Sequence, residues 1–190
     1  MINGRLIFIL TFIFDFMSNS LQYFSTIKAF VFDVDGVLTN GDLIILSNNV
    51  MARTMNVKDG YALQLAVKKG YKIAIISGGN SVEVKERLSL LGITDIYMSI
   101  TNKVAALENF IQKYQLHKNE ILFMGDDMPD FEVMQAVGLP CCPADAVDEI
   151  KIISKYISPI NGGKGCARDV IEKTMKLANQ WQHINTVSSK

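Results

Sequence analysis

A chain of 190 residues has the size of one ordinary domain, and 49% hydrophobic with 20% charged residues is the balance of a globular protein, not a disordered one. Its 19 basic and 19 acidic side chains cancel, which argues against a nucleic-acid partner, because a phosphate backbone selects for a basic excess. The three cysteines, Cys141, Cys142 and Cys166, are too few and too oddly spaced for a disulfide framework and read as reduced packing residues of a cytoplasmic protein.

Residues 1–25 are set apart as an N-terminal extension. Their apolar run, Leu6 to Phe14, falls short of the roughly 20 residues that a membrane-spanning helix needs, so no membrane role is expected. The run is open to three readings: translation beginning at Met17, a signal or anchor, or a structural element. Residues 26–182 carry the fold and residues 183–190 form a tail. Lys28 to Phe32 is a compact apolar run ending in acids and glycine, the pattern of a buried strand. Asp42 to Leu46 and Val50 to Val57 flank the turn-prone Ser47-Asn48-Asn49 and predict a hairpin. Asp59 to Lys69 predicts a helix stopped by Gly70. Strands follow at Lys72 to Ile76, Ile93 to Met98, Glu120 to Met124, Gly138 to Cys142 and Tyr156-Ile157. Helices are predicted over Ser81 to Leu91, Lys103 to Tyr114, Phe131 to Val137, Asp145 to Ile152 and Cys166 to Gln182. This alternation predicts an α/β protein, a Rossmann-like, mostly parallel sheet with helices on both faces. The small hairpin interrupts it, and no stretch is long enough for a large cap domain.

In such sheets ligands bind beyond the carboxyl ends of the strands, and the polar residues after the apolar runs gather there: Asp33 and Asp35, then Ser77, then Asp126, Asp127 and Asp130. Asp33 and Asp35 repel each other unless a cation lies between them or one stays protonated. With Asp126 they make a set of hard oxygen donors suited to Mg2+. A carboxylate is a weak nucleophile, but phosphorus is a good target once its oxygens are neutralised. Asp33 is therefore the candidate nucleophile and Asp35 the candidate acid/base. Ser77 and the Gly78 and Gly79 amides, opening a helix, supply donors for a phosphate, and Lys103, opening the next, supplies positive charge. His117 and His183 read as surface residues, the methionines as core filler, and Trp181 as a packing residue.

The string D-x-D-G-V-L-T, a strand ending in Ser-Gly, a lysine, and G-D-D-x-x-D together resemble the haloacid dehalogenase superfamily, over about residues 27–181. The resemblance implies a phosphatase with Asp33 as nucleophile and Asp35 as general acid/base. The ion would be held by Asp33, the Asp35 carbonyl and Asp126, and its waters tuned from behind by Asp127 and Asp130. Asn56-Val57-Lys58-Asp59-Gly60-Tyr61, Asn102-Lys103 and Gly162-Gly163-Lys164-Gly165-Cys166-Ala167-Arg168 resemble the 3-deoxy-D-manno-octulosonate (KDO) 8-phosphate phosphatases of lipopolysaccharide sugar synthesis. That likeness implies a homotetramer associated through its hairpins, with a glycine-rich tail reaching a neighbour's active site. Lys58 and Arg168 would then meet the sugar-acid end of the substrate. The plain alternative for Gly162 to Gly165 is a flexible loop. Gly79 stands where an arginine often follows Ser/Thr-Gly, Cys166 where the pattern has alanine, and Glu132 where it has proline. These departures leave 2-keto-3-deoxy-nononate 9-phosphate as a second candidate substrate, and a non-catalytic tetramer-forming module as a rival reading.

Overall fold

The computed structural model describes residues 22–48 and 50–187; the apolar run near the N-terminus lies outside them. Six strands form one parallel sheet: Ala29–Phe32 (β1), Lys72–Ile76 (β4), Asp95–Tyr97 (β5), Ile121–Met124 (β6), Leu139–Cys142 (β7) and Tyr156–Ile157 (β8), in the order β5-β4-β1-β6-β7-β8. Ile44–Ile45 (β2) and Met51–Ala52 (β3) pair antiparallel as the hairpin. Between the strands run the helices Val57–Lys68 (α1), Val82–Leu90 (α2), Lys103–Tyr114 (α3), Phe131–Gln135 (α4), Asp148–Ile153 (α5) and Cys166–Leu177 (α6).

The central strands are buried on both sides, so they read as unbroken apolar runs instead of alternating ones. Their alternate side chains divide between two layers. Phe30, Phe32, Ile73, Ile75, Leu122 and Met124 pack under α1, α2 and α6. Ala29, Val31, Ala74, Ile76, Ile121 and Phe123 pack under α3, α4 and α5. Side-chain caps fix where three helices start. The Asn56, Ser81 and Asn102 side chains accept from the amides of Lys58, Val84 and Ala105.

Several ends differ from the sequence expectation. The last helix stops at Leu177, five residues before Gln182, because Asn179 turns left-handed (φ 54°). The chain then folds back: the Trp181 and Tyr61 rings meet edge to face and His183 Nδ1 lies 3.0 Å from the Tyr61 hydroxyl. The core also reaches past the predicted limits, with Phe24 and Val187 both buried. The hairpin strands are shorter than expected, and Val57 belongs to α1. All three cysteines are buried and unpaired. Among the described residues no helix is long and apolar enough to cross a membrane.

Gly162 to Gly165 is no loose loop. The Gly163 amide donates to the Val37 carbonyl (2.9 Å), the Gly162 amide to Asp145 (2.9 Å), and the Cys166 thiol points at the same Val37 carbonyl (3.2 Å). The backbone of Gly162 lies so close to the Gly36 carbonyl that a Cβ there would sit 1.9 Å from its oxygen. The alternative of a flexible loop does not hold: Gly162 and Gly163 form a buttress behind their own chain's first acidic loop.

Candidate active site

The order of strands reverses at β1, whose neighbours are β4 and β6, and this switch point is where a crevice opens in a parallel sheet. Asp33 follows β1, Ser77 follows β4 and Asp126 lies two residues beyond β6. All three line one cleft of about 390 Å³ with Asp35, Gly78, Lys103, Asp127 and Asp130. Nine of the eleven candidate residues, Gly79 included, thus share one rim.

Carboxylate oxygens of Asp33, Asp126 and Asp130 lie within 4.8 Å of one another. Gly36 makes the approach possible: with φ at +86° and no side chain, it admits the Asp126 carboxylate to a place where a Cβ would be 1.9 Å from Oδ2. Lys103 reaches from the first turn of α3 to Asp33 Oδ2 (3.1 Å) and Asp130 Oδ1 (2.6 Å), and all three residues are buried. The Asp126 amide donates to Asp130 Oδ2 (3.3 Å), and the Val34 amide to Asp33 Oδ1 (2.7 Å).

So many acids in one place favour the protonated forms. Burial first, then the neighbouring charge of Asp33, pushes Asp126 up to about 8 and Asp130 up to about 7. Burial raises Asp33 as well, against the pull of Lys103. Burial alone would lower Lys103, but Asp33 and Asp130 outweigh it, and the ammonium is held charged. A hard divalent cation fits this donor set and would take the place of those protons. Asp130, which the sequence reading put behind the ion, has a carboxylate oxygen close to those of Asp33 and Asp126 and also pairs with Lys103. Asp127 is exposed and caps the turn at Met128 (2.7 Å).

Opposite the acids, Ser77 is fully buried and its hydroxyl accepts from the Gly79 amide (3.1 Å). Asp35 is held by a residue that the sequence reading missed. Arg53, just after β3, donates Nε to Oδ1 (2.7 Å) and Nη2 to Oδ2 (3.0 Å). Two predicted residues stand apart from the cleft. Lys58 is exposed on the first turn of α1. Arg168 pairs with Glu172 (3.0 Å), and its guanidinium lies 5.2 Å from the Trp181 ring centre.

A family model described as haloacid dehalogenase-like hydrolase matches residues 88–169. The 3-deoxy-D-manno-octulosonate 8-phosphate phosphatase KdsC of Escherichia coli K12 is 34% identical over 146 residues, 77% of this chain and 78% of the relative. The chain belongs to the KDO 8-phosphate phosphatase family. The family's enzyme from Yersinia pestis is 30% identical over 152 residues, covering 80% of this chain and 81% of that one. The solved structure of the Moraxella catarrhalis phosphatase, in complex with magnesium, phosphate and KDO, superposes with a TM-score of 0.83 at 31% identity, over 87% of this chain and 95% of that one. The chain is thus a phosphatase of the haloacid dehalogenase-like hydrolases, built on the family's fold without a large cap among the described residues.

Proposed function

We propose that this phosphatase cleaves KDO 8-phosphate through an aspartyl-phosphate on Asp33, with magnesium as its ion. The observation that carries the reading is the meeting of Asp33, Asp126 and Asp130 near Lys103 at the carboxyl ends of the central strands, with Asp35 lining the same cleft. Asp33, Asp126 and Asp130 would hold the cation, as would the Asp35 carbonyl by family likeness, and the bound ion would neutralise phosphoryl oxygens. A carboxylate oxygen of Asp33 attacks phosphorus, and the bond from phosphorus to the ester oxygen breaks. Asp35 gives its proton to the leaving alkoxide and then takes one from the water that attacks the aspartyl-phosphate. Inorganic phosphate leaves and Asp33 is regenerated. Lys103, Ser77 and the Gly78 amide offset the charge on the transferred group's outer oxygens.

The proposal extends to the setting. The hairpin exposes Leu43, Ile44, Ile45, Leu46, Val50 and Met51, a patch that association into a homotetramer would cover. Unpaired cysteines suit a cytoplasmic enzyme. In such an assembly Lys58 and Arg168 are the residues through which a neighbour's sugar acid would be met, Arg168 after release from Glu172.

The test is phosphate release, with magnesium, from eight- and nine-carbon sugar-acid phosphates, hexose phosphates, a phosphopeptide and an aryl phosphate, beside an Asp33→Asn control. Preference for the eight-carbon acid, abolished in the control, is the expected result. Preference for the nine-carbon acid moves the substrate and keeps the mechanism. Release that survives Asp33→Asn sinks the aspartyl-phosphate.

A further inference from the structure

Arg53 has no part in the chemistry just described, yet it is the better buried half of its ion pair. Its side chain is 7% exposed, while the Asp35 side chain is 33% exposed. Asp35 lines the catalytic cleft and Arg53 does not, lining instead the hollow beside it with Gly79 and Ser81. The fork is engaged on both sides: Nε and Nη2 take one Asp35 oxygen each, and Nη1 donates to the Met51 carbonyl (2.9 Å). Among the described residues the Asp35 carboxylate has one other side-chain hydrogen bond, a long one from the Thr39 hydroxyl (3.4 Å).

Gly79 belongs to the same construction. A Cβ at position 79 would lie 3.0 Å from Asp35 Oδ2 and 3.3 Å from Arg53 Nη2. Any side chain there crowds the pair. The position that departs from the expected arginine is the one that leaves the guanidinium its room.

We propose that Arg53 is a positioning residue for Asp35, and that Gly79 makes the space for it. The proposal rests on the reading of Asp35 as the group that protonates the leaving alkoxide. A carboxylate on a single bond can swing; one gripped at both oxygens by a planar fork cannot. Each gripped oxygen still has a lone pair for a proton aimed into the cleft. Arg53 thus fixes where that proton is delivered, without touching the substrate.

A mere strut for the hairpin would weaken every reaction of the enzyme alike, whereas a residue that aims Asp35 matters to the first step, aspartyl-phosphate formation, only where the leaving group needs a proton. The second step, in which Asp35 takes a proton from water, is common to all esters, so alcohol release in the first turnover is what is compared. The experiment compares an alkyl ester, KDO 8-phosphate, with p-nitrophenyl phosphate, whose phenolate departs unprotonated. In Arg53→Met the expected result is a fall of about 100-fold in the first-turnover rate of alcohol release from the alkyl ester, the low end for a lost general acid. KM should stay within about twofold and the aryl ester within about threefold, on the same principle that only the proton transfer is lost. Arg53→Lys restores the charge but not the fork, so it should recover only part of the loss and keep the split between substrates. Gly79→Ala should show the same split in smaller degree. Equal losses on both esters, or none on either, overturn the proposal; should Arg53→Met not fold, Arg53→Lys decides it by the same criterion. Asp35→Asn separates the two layers of argument. If it shows no split between the esters, the acid/base reading fails by itself. If it shows the split and Arg53→Lys and Gly79→Ala do not, only the role of Arg53 fails.

Discussion

Asp59 lies buried between α1 and the start of α6, 2% exposed. Its Oδ1 accepts the Arg168 amide (2.7 Å), which ties the two helices together, while Oδ2 has no partner among the described residues. Burial raises its pKa from 3.8 to about 6, against the amides of Arg168 and Gly165 that favour the anion. A carboxyl raised on folding stabilises the fold in full below its unfolded pKa, and that contribution is lost as pH climbs through the folded value. The window therefore runs from about pH 4 to about pH 6.5. Roughly two pH units at about 1.4 kcal/mol each make about 3 kcal/mol. Asp59→Asn removes the titration. Urea unfolding of both proteins, at fixed magnesium across pH 4 to 8, gives a difference curve in which every other titrating group cancels. The wild type should lose about 3 kcal/mol against the variant between pH 4 and 7 and nothing more above that. The constant offset reports the asparagine's own hydrogen bonds and does not enter the slope. A difference curve flat across this range would refute the account of Asp59 as a desolvated, half-satisfied carboxylate.

Three further outcomes are expected. Gly162→Ala puts a methyl group 1.9 Å from the Gly36 carbonyl oxygen and should cost about 3 kcal/mol, the upper part of the overpacking range, with loss of phosphate release; an unchanged urea midpoint would show that the buttress gives way freely. Lys103→Met leaves Asp33 and Asp130 buried without their cation and should destabilise the fold by about 3–5 kcal/mol at pH 8, with a smaller effect at pH 5, where the carboxyls can protonate; equal effects at both pH values would count against it. Magnesium competes with protons held by Asp126, at about 8, and Asp130, at about 7, so its affinity should rise from pH 6 to 8 with proton release in calorimetry; a pH-independent affinity would contradict the crowding of these groups.

The strands were legible because a parallel sheet buries both faces, so Phe30-Val31-Phe32 and Ile73-Ala74-Ile75-Ile76 stand out as apolar runs whatever follows. The acids were legible for a related reason: a charged residue just after such a run has nowhere to go but the strand's end. What was hidden is what depends on approach across the fold. Arg53 is a lone arginine in a β-prone stretch, and nothing local says that it turns back 18 residues to Asp35. The one available signal was the missing side chain at Gly79, visible as a departure but not as space for a guanidinium. Gly162 and Gly163 looked like freedom and are contact, because a glycine run reads the same whether the chain flexes or must pass close to another backbone. Asn179, which ends α6 early, sits in a run that otherwise keeps helical periodicity.

The charges around the cleft explain why this rim needs its ion before it can serve a phosphate. Asp33, Asp35, Asp126, Asp127 and Asp130 line it; among the described residues Lys103 is the one cation in its lining, and Arg53 reaches it through Asp35. Both cations are already committed, Lys103 to two carboxylates and Arg53 to Asp35. A phosphate dianion entering five acids and two spent cations would meet repulsion in a partly dry site, where it is poorly screened. The fold relieves the crowding with protons, which is why Asp126 and Asp130 are raised to about 8 and about 7. A proton neutralises one oxygen and leaves nothing for the incoming phosphate, whereas a divalent ion would offset two charges at once and bind a phosphoryl oxygen directly. The same closeness of Asp33, Asp126 and Asp130 that is costly without the ion is therefore what selects for one, and Gly36, by admitting Asp126, is the residue that sets that closeness.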